Sequence, residues 1–87
     1  MLLVFSGKNC PACAMLKRFL DDKGIAYSEV RVEQHEQYLQ TCNKLKFFPT
    51  SIPALVHVEN SKVNGVYFGF SATGVMQFLR ERRILWT

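Results

Sequence analysis

The chain has 87 residues, 48% of them hydrophobic, and a formal net charge of +4. That length allows one hydrophobic core with no linker to a second, so residues 1–87 are read as a single domain. Apolar runs are a few residues each, far short of the about 20 that a membrane-spanning helix needs, and there is no dense basic stripe of a nucleic-acid module. Neither membrane nor nucleic acid is therefore expected as a partner.

The opening Met1-Leu2-Leu3-Val4-Phe5-Ser6 lacks the basic start and long apolar middle of a signal peptide, and predicts a strand. Three cysteines, an odd number, argue against a structural disulfide framework and fit a reducing, cytoplasmic setting. Next, Ala12, Met15, Leu16, Phe19 and Leu20 recur at helical spacing, with Lys17, Arg18, Asp21 and Asp22 largely off the core face. Pro11 suits the first turn, where its missing N–H costs nothing, and Gly24 ends the helix as a left-handed cap residue. Alternation from Ala26 to Val32 predicts a second strand with Val30 and Val32 inward and Glu29 and Arg31 outward. Glu33 to about Lys46 reads as a polar helix whose sparse apolar positions are Tyr38, Leu39, Cys42 and Leu45, with Pro49 as its stop.

Ala54-Leu55-Val56-His57-Val58 predicts a third strand, Glu59-Asn60-Ser61-Lys62 a polar turn, and Val63 to Phe68 the returning strand of an antiparallel hairpin. Ser71 is the natural N-cap of a last helix from about Ala72, with Val75, Met76, Phe78 and Leu79 as its buried stripe. The order is β-α-β-α-β-β-α. A crossover helix makes the first two strands parallel and the hairpin adds an antiparallel edge, which predicts an α/β fold with a four-stranded mixed sheet flanked by three helices.

Most of the remaining polar and sulfur-bearing residues have structural explanations. Met15 and Met76 fit core stripes, and Cys42 falls on the apolar stripe of the second helix, where packing explains it. His35 is expected in solvent and His57 against one sheet face. Lys17, Arg18 and Lys23 on the first helix and Arg80, Arg82 and Arg83 on the last read as solvated faces. Alternatively, they form a surface that attracts acidic proteins or anionic small molecules. Trp86 is expected to cover the sheet edge or meet a partner. Cys10, Cys13, Cys42 and a histidine match no usual zinc spacing, so no metal is expected.

Cys10-Pro11-Ala12-Cys13 follows the first strand and opens the first helix. A thiol there faces the positive end of the macrodipole and free backbone N–H groups, both of which favour thiolate. Thiols in such settings ionise at roughly 3.5–7.5, so Cys10 is expected to be a nucleophile poised near neutral pH. Cys13, one turn later, is placed to attack a mixed disulfide formed on Cys10. The pair reads as a dithiol–disulfide switch.

With this motif at the first strand–helix junction, the chain resembles the glutaredoxin branch of the thioredoxin fold over nearly its whole length. Cys10-Pro11-Ala12-Cys13, Ser51-Ile52-Pro53 before the third strand and Gly69-Phe70-Ser71 before the last helix carry the likeness. The resemblance implies a monomeric thiol–disulfide oxidoreductase in which Cys10 attacks a protein disulfide or a glutathione mixed disulfide and Cys13 resolves it. It implies no bound cofactor, glutathione as co-substrate, a cis Pro53, and an Ile52 backbone that pairs with glutathione or an extended peptide. Lys8, Pro11 and Ala12 then belong to the binding surface, and Gly69, Phe70 and Ser71 to the helix start that receives the γ-glutamyl carboxylate.

The family's usual pattern differs at three places. Phe68 replaces a glycine, Ser71 and Ala72 stand where an aspartate would meet the glutathione ammonium, and Ala12 replaces a tyrosine. Phe68-Gly69-Phe70 is also similar to the Ser-Gly-Phe segment of the glutaredoxin-like electron donors to ribonucleotide reductase. Those proteins take electrons from thioredoxin reductase, so this likeness implies thioredoxin reductase as the alternative to glutathione as electron source, and ribonucleotide reductase among the disulfide-bearing partner proteins. Two readings of another class compete: a metal- or cluster-binding module using Cys10 from two subunits, and a non-catalytic thioredoxin-like adaptor.

Overall fold

The computed structural model describes residues 1–84. It contains β1 (Leu2–Ser6), α1 (Pro11–Asp22), β2 (Ser28–Arg31), α2 (His35–Leu45), β3 (Ala54–Glu59), β4 (Lys62–Phe68) and α3 (Ala72–Glu81). The sheet order is β2-β1-β3-β4, with β1 parallel to β2 and antiparallel to β3, and β3 antiparallel to β4. The four-stranded mixed sheet flanked by helices is the architecture that the element order predicts.

All five residues of β1 are buried because the strand is central and covered on both faces. Leu2 and Val4 join Leu55 of β3 and the stripes of α1 and α3 in one core. Leu3 and Phe5 join Val30, Cys42, Ala54, Val56 and Val58 in a second core beneath α2. Phe5 meets Tyr38 and Phe47 edge-on, at 6.1 and 6.2 Å between ring centroids. Cys42 is wholly buried there, and burial pushes its thiol pKa up against a hydrogen bond with Tyr38.

Several boundaries differ from expectation. The buried stripe of α1 is Cys13, Leu16 and Leu20, while Met15 is 54% exposed. Successive helical residues turn by about 100°, so Met15 points away from that narrow stripe. Met76 is only half-buried. Gly24, at φ +69, follows α1 in the left-handed conformation anticipated for it. β2 is shorter than the alternating pattern, since an edge strand is held by one neighbour and its ladder runs only from Leu3↔Ser28 to Ser6↔Arg31. Val32, expected inward on that strand, is a half-buried turn residue whose N–H still reaches the Ser6 carbonyl at 2.9 Å.

α2 begins at His35 and is closed by Lys46, which adopts left-handed φ 55, rather than by Pro49. The Phe47 N–H then bonds back to the Cys42 carbonyl at 3.1 Å, completing the helix end before the proline is reached. In the hairpin, Glu59 and Lys62 still pair, and the turn is only Asn60 and Ser61, at φ 54 and 61. Two central residues with positive φ make a type I′ turn, which matches the twist of the strands.

His35 is exposed and His57 is buried. Burial holds the His57 pKa below its ordinary value although Glu59 opposes it; the amino terminus and Arg82 add to the depression. The basic helix residues are not uniformly solvated. The Arg82 guanidinium lies 4.1 Å from the Phe78 ring centroid, Lys23 sits over Phe19 at 5.4 Å, and Lys17 is ion-paired. Trp86 lies outside the described residues.

Candidate active site

β1 delivers the chain through the loop Gly7-Lys8-Asn9, with Asn9 at φ 51, to Cys10 at the N-cap of α1. Pro11 occupies the first turn, as its fixed φ and missing N–H favour. The Cys13 N–H donates to Cys10 Sγ at 3.1 Å, and the two sulfurs are joined, with Cα atoms 5.2 Å apart. Cys10 is half-buried, whereas Cys13 is 2% exposed. An incoming disulfide therefore meets Cys10 first.

Gly7 brings a second segment to the site. A Cβ there would come 2.8 Å from Ile52 Cδ1 and 3.1 Å from Val32 Cγ2, so a side chain at this position would have to displace the end of Ile52. The ladder pairing of Phe5 with Ala54 accounts for this close approach, because the residues beyond each end face one another. The Ile52–Pro53 peptide is cis and Pro53 is buried. Its carbonyl accepts the Gly69 N–H at 2.8 Å, which ties the segment before α3 to the same end of the sheet.

The other residues singled out from the sequence differ in what they present there. Pro11 and Lys8 are exposed, and Ala12, Ile52 and Gly69 are half-buried. The Phe70 ring packs edge-on against Phe19, 5.7 Å between centroids, and belongs to the core of α1 and α3. Ser71 Oγ accepts the Gly74 N–H at 3.3 Å, the cap expected of it, and the first turn of α3 holds no acidic side chain.

Sequence reasoning missed a polar cluster beside the dithiol. Lys17 Nζ lies 2.7 Å from Glu29, Ser6 Oγ donates to the same carboxylate, and Arg31 bridges Glu29 and Glu33. Glu33 also accepts the Lys8 backbone N–H at 3.3 Å, steadying the loop before Cys10. The Lys17 and Ser6 hydrogen bonds hold the Glu29 carboxyl below the usual range against its burial. Desolvation would raise Glu33, but the Arg31 hydrogen bond and its charge leave it lowered as well. Alternation of Glu29 and Arg31 signals an exposed edge-strand face, but pairing with Lys17 becomes visible only once α1 packs over β2.

An open depression over the dithiol is lined by Cys10, Pro11 and Cys13 together with Lys8, Lys17 and Arg31. Among the described residues, no group of three or more histidine, cysteine, aspartate and glutamate side chains could hold a metal ion, and no helix is long and apolar enough to cross a membrane. The arrangement is a half-exposed sulfur at a helix start backed by a buried one. That is the chemistry of two-electron thiol–disulfide exchange.

The glutaredoxin family model matches residues 2–58. The chain belongs to the glutaredoxin family. Members of the glutaredoxin and thioredoxin family are thiol–disulfide oxidoreductases. The glutaredoxin-like protein NrdH of Lactococcus lactis subsp. cremoris is 28% identical over 47 residues, covering 54% of this chain. The match spans 65% of that relative's length, a little under two thirds.

Solved structures share the thioredoxin-like fold. The thioredoxin-like protein BC3987 superposes with a TM-score of 0.68 at 24% identity, over 91% of this chain and all of that one. The glutaredoxin grx-1 of Archaeoglobus fulgidus gives 0.66 at 15% identity, over 91% of this chain and 85% of its own. Oxidised thioredoxin of Plasmodium falciparum gives 0.72 at 15%, over 93% and 78% respectively.

Proposed function

We propose that this glutaredoxin-family chain reduces disulfides of cytoplasmic proteins through the Cys10–Cys13 dithiol. The observation that carries the proposal is the position of Cys10 at the start of α1, its sulfur accepting the Cys13 N–H. In the reduced protein, that N–H and the helix dipole favour a thiolate. The Cys10 thiolate attacks one sulfur of the substrate disulfide; that bond breaks and the first substrate thiolate leaves, to be protonated by water. Cys13 then loses its proton and attacks Cys10 Sγ, expelling the second substrate thiolate. Two electrons pass to the substrate, and the protein is left with the Cys10–Cys13 bond.

The test uses the pre-reduced protein with insulin and with bis(2-hydroxyethyl) disulfide. Cys10→Ser is expected to lose nearly all turnover on both, and Cys13→Ser to lose insulin reduction. Full activity of Cys10→Ser would overturn the proposal, and no reduction of either disulfide by the wild type would leave the adaptor reading.

The electron source has a second reading of its own, favoured by the start of α3. Ser71 is engaged in capping, and no acidic side chain stands in the first turn to meet the ammonium of glutathione. This supports recharging by thioredoxin reductase, as in the glutaredoxin-like donors to ribonucleotide reductase, over recharging by glutathione. NADPH consumption is expected with thioredoxin reductase and not with glutathione plus glutathione reductase. The reverse result restores glutathione as co-substrate.

A further inference from the structure

Three cations from three different elements surround the dithiol depression: Lys8 from the loop after β1, Lys17 from α1 and Arg31 from the end of β2. Among the described residues, no carboxylate lines it. Lys17 stands four residues after Cys13, which puts it on the same helical stripe one turn below the sulfur. The carboxylates that contact these cations, Glu29 and Glu33, are outside the lining of the depression and are already engaged. Glu29 is held by Lys17, Arg31 and Ser6, and Glu33 by Arg31 and the Lys8 N–H. These contacts restrain Lys17 and Arg31 at the rim, so less side-chain freedom is lost when an anion arrives. Three cations against two carboxylates leave the rim net positive, and the chain as a whole carries +4.

From this convergence we infer that the rim selects protein disulfides flanked by acidic residues. The inference rests on the dithiol chemistry proposed above and adds the substrate class. A carboxylate next to the target disulfide pairs with Lys8, or shares Lys17 or Arg31 with their carboxylates, while the sulfur approaches Cys10, which raises the encounter rate and fixes orientation. A lysine-flanked disulfide meets like charge at the same place. A second copy of this basic chain is disfavoured for the same reason.

The experiment measures single-turnover reduction of three synthetic peptides by the pre-reduced protein. Each peptide carries one intramolecular disulfide, flanked by aspartates, serines or lysines. Bis(2-hydroxyethyl) disulfide serves as an uncharged reference, and a glutathione-capped serine peptide as a further arm. At low ionic strength the aspartate peptide is expected to react at least about fivefold faster than the lysine peptide. That ratio should shrink toward one at about 0.5 M salt, where charges are screened within a few ångströms. Lys17→Gln and Arg31→Gln, each checked for native circular dichroism, are each expected to lower the ratio at low ionic strength and to weaken its dependence on salt.

Equal rates for the aspartate and lysine peptides at low salt, with the uncharged disulfide still reduced, would overturn the inference and leave the dithiol reading intact. Faster reduction of the glutathione-capped peptide with no dependence on flanking charge would also overturn it. No reduction of any disulfide would remove the dithiol reading and this inference with it.

Discussion

Leu16 is wholly buried between α1 and the sheet, while its neighbour Met15 is 54% exposed. Leu16→Ala is expected to cost about 2–5 kcal/mol through lost burial and a residual cavity, and Met15→Ala less than about 0.5 kcal/mol. Urea unfolding of the two variants checks the contrast; equal losses would restore the wider stripe read from the sequence. Titration offers a second test. His57 has a folded pKa below its unfolded value of 6.5, so its contribution is fully present above that value and is lost as pH falls through the lower folded value. Glu29 has a folded pKa below 4.5, so its contribution is present above 4.5 and is lost on further acidification. Stability should therefore decline in two stages as pH falls. In urea midpoints measured from pH 7.5 to 3, His57→Gln should flatten the first stage and Glu29→Gln the second. At neutral pH the Glu29 change is expected to cost about 1 kcal/mol, as for a partly screened ion pair. Identical profiles for wild type and both variants would contradict these assignments.

Among the elements, α3 depends on its first turn. Ser71→Ala removes the oxygen that accepts the Gly74 N–H and should cost about 1 kcal/mol, read as a lower denaturant midpoint at unchanged slope. If Ser71 only caps the helix, insulin reduction should keep its kcat/KM; a large loss there would make Ser71 a contact for substrate. The elements themselves were legible because helical and alternating patterns are local properties, and the Cys10–Cys13 spacing is local too. Three features were not. Met15 fits the helical period but lies outside the narrow strip where α1 meets the sheet. The end of α2 is made by a left-handed lysine, a residue with no strong preference for that conformation, so Pro49 was the only visible stop. Lys17, Glu29 and Arg31 are remote in sequence, and the cluster around the dithiol exists only because α1 is packed over β2.

At the level of the whole molecule, the two cores share β1 and β3, with Leu55 and Val56 on opposite faces of one strand. Losing either core strips one side of the same central strands, so the chain is expected to unfold in a single step. Far-ultraviolet and near-ultraviolet circular dichroism should give superimposable urea curves; separated midpoints would mean that one face melts alone. β3 runs from Ala54, beside Pro53 and the dithiol end, to Glu59 at the Asn60–Ser61 turn. Six strand residues at about 3.3 Å each place the turn roughly 20 Å down the sheet. It is therefore a natural handle: a dye or an electrode linker grafted there would report on the thiols, or wire them, without standing in the way of incoming proteins.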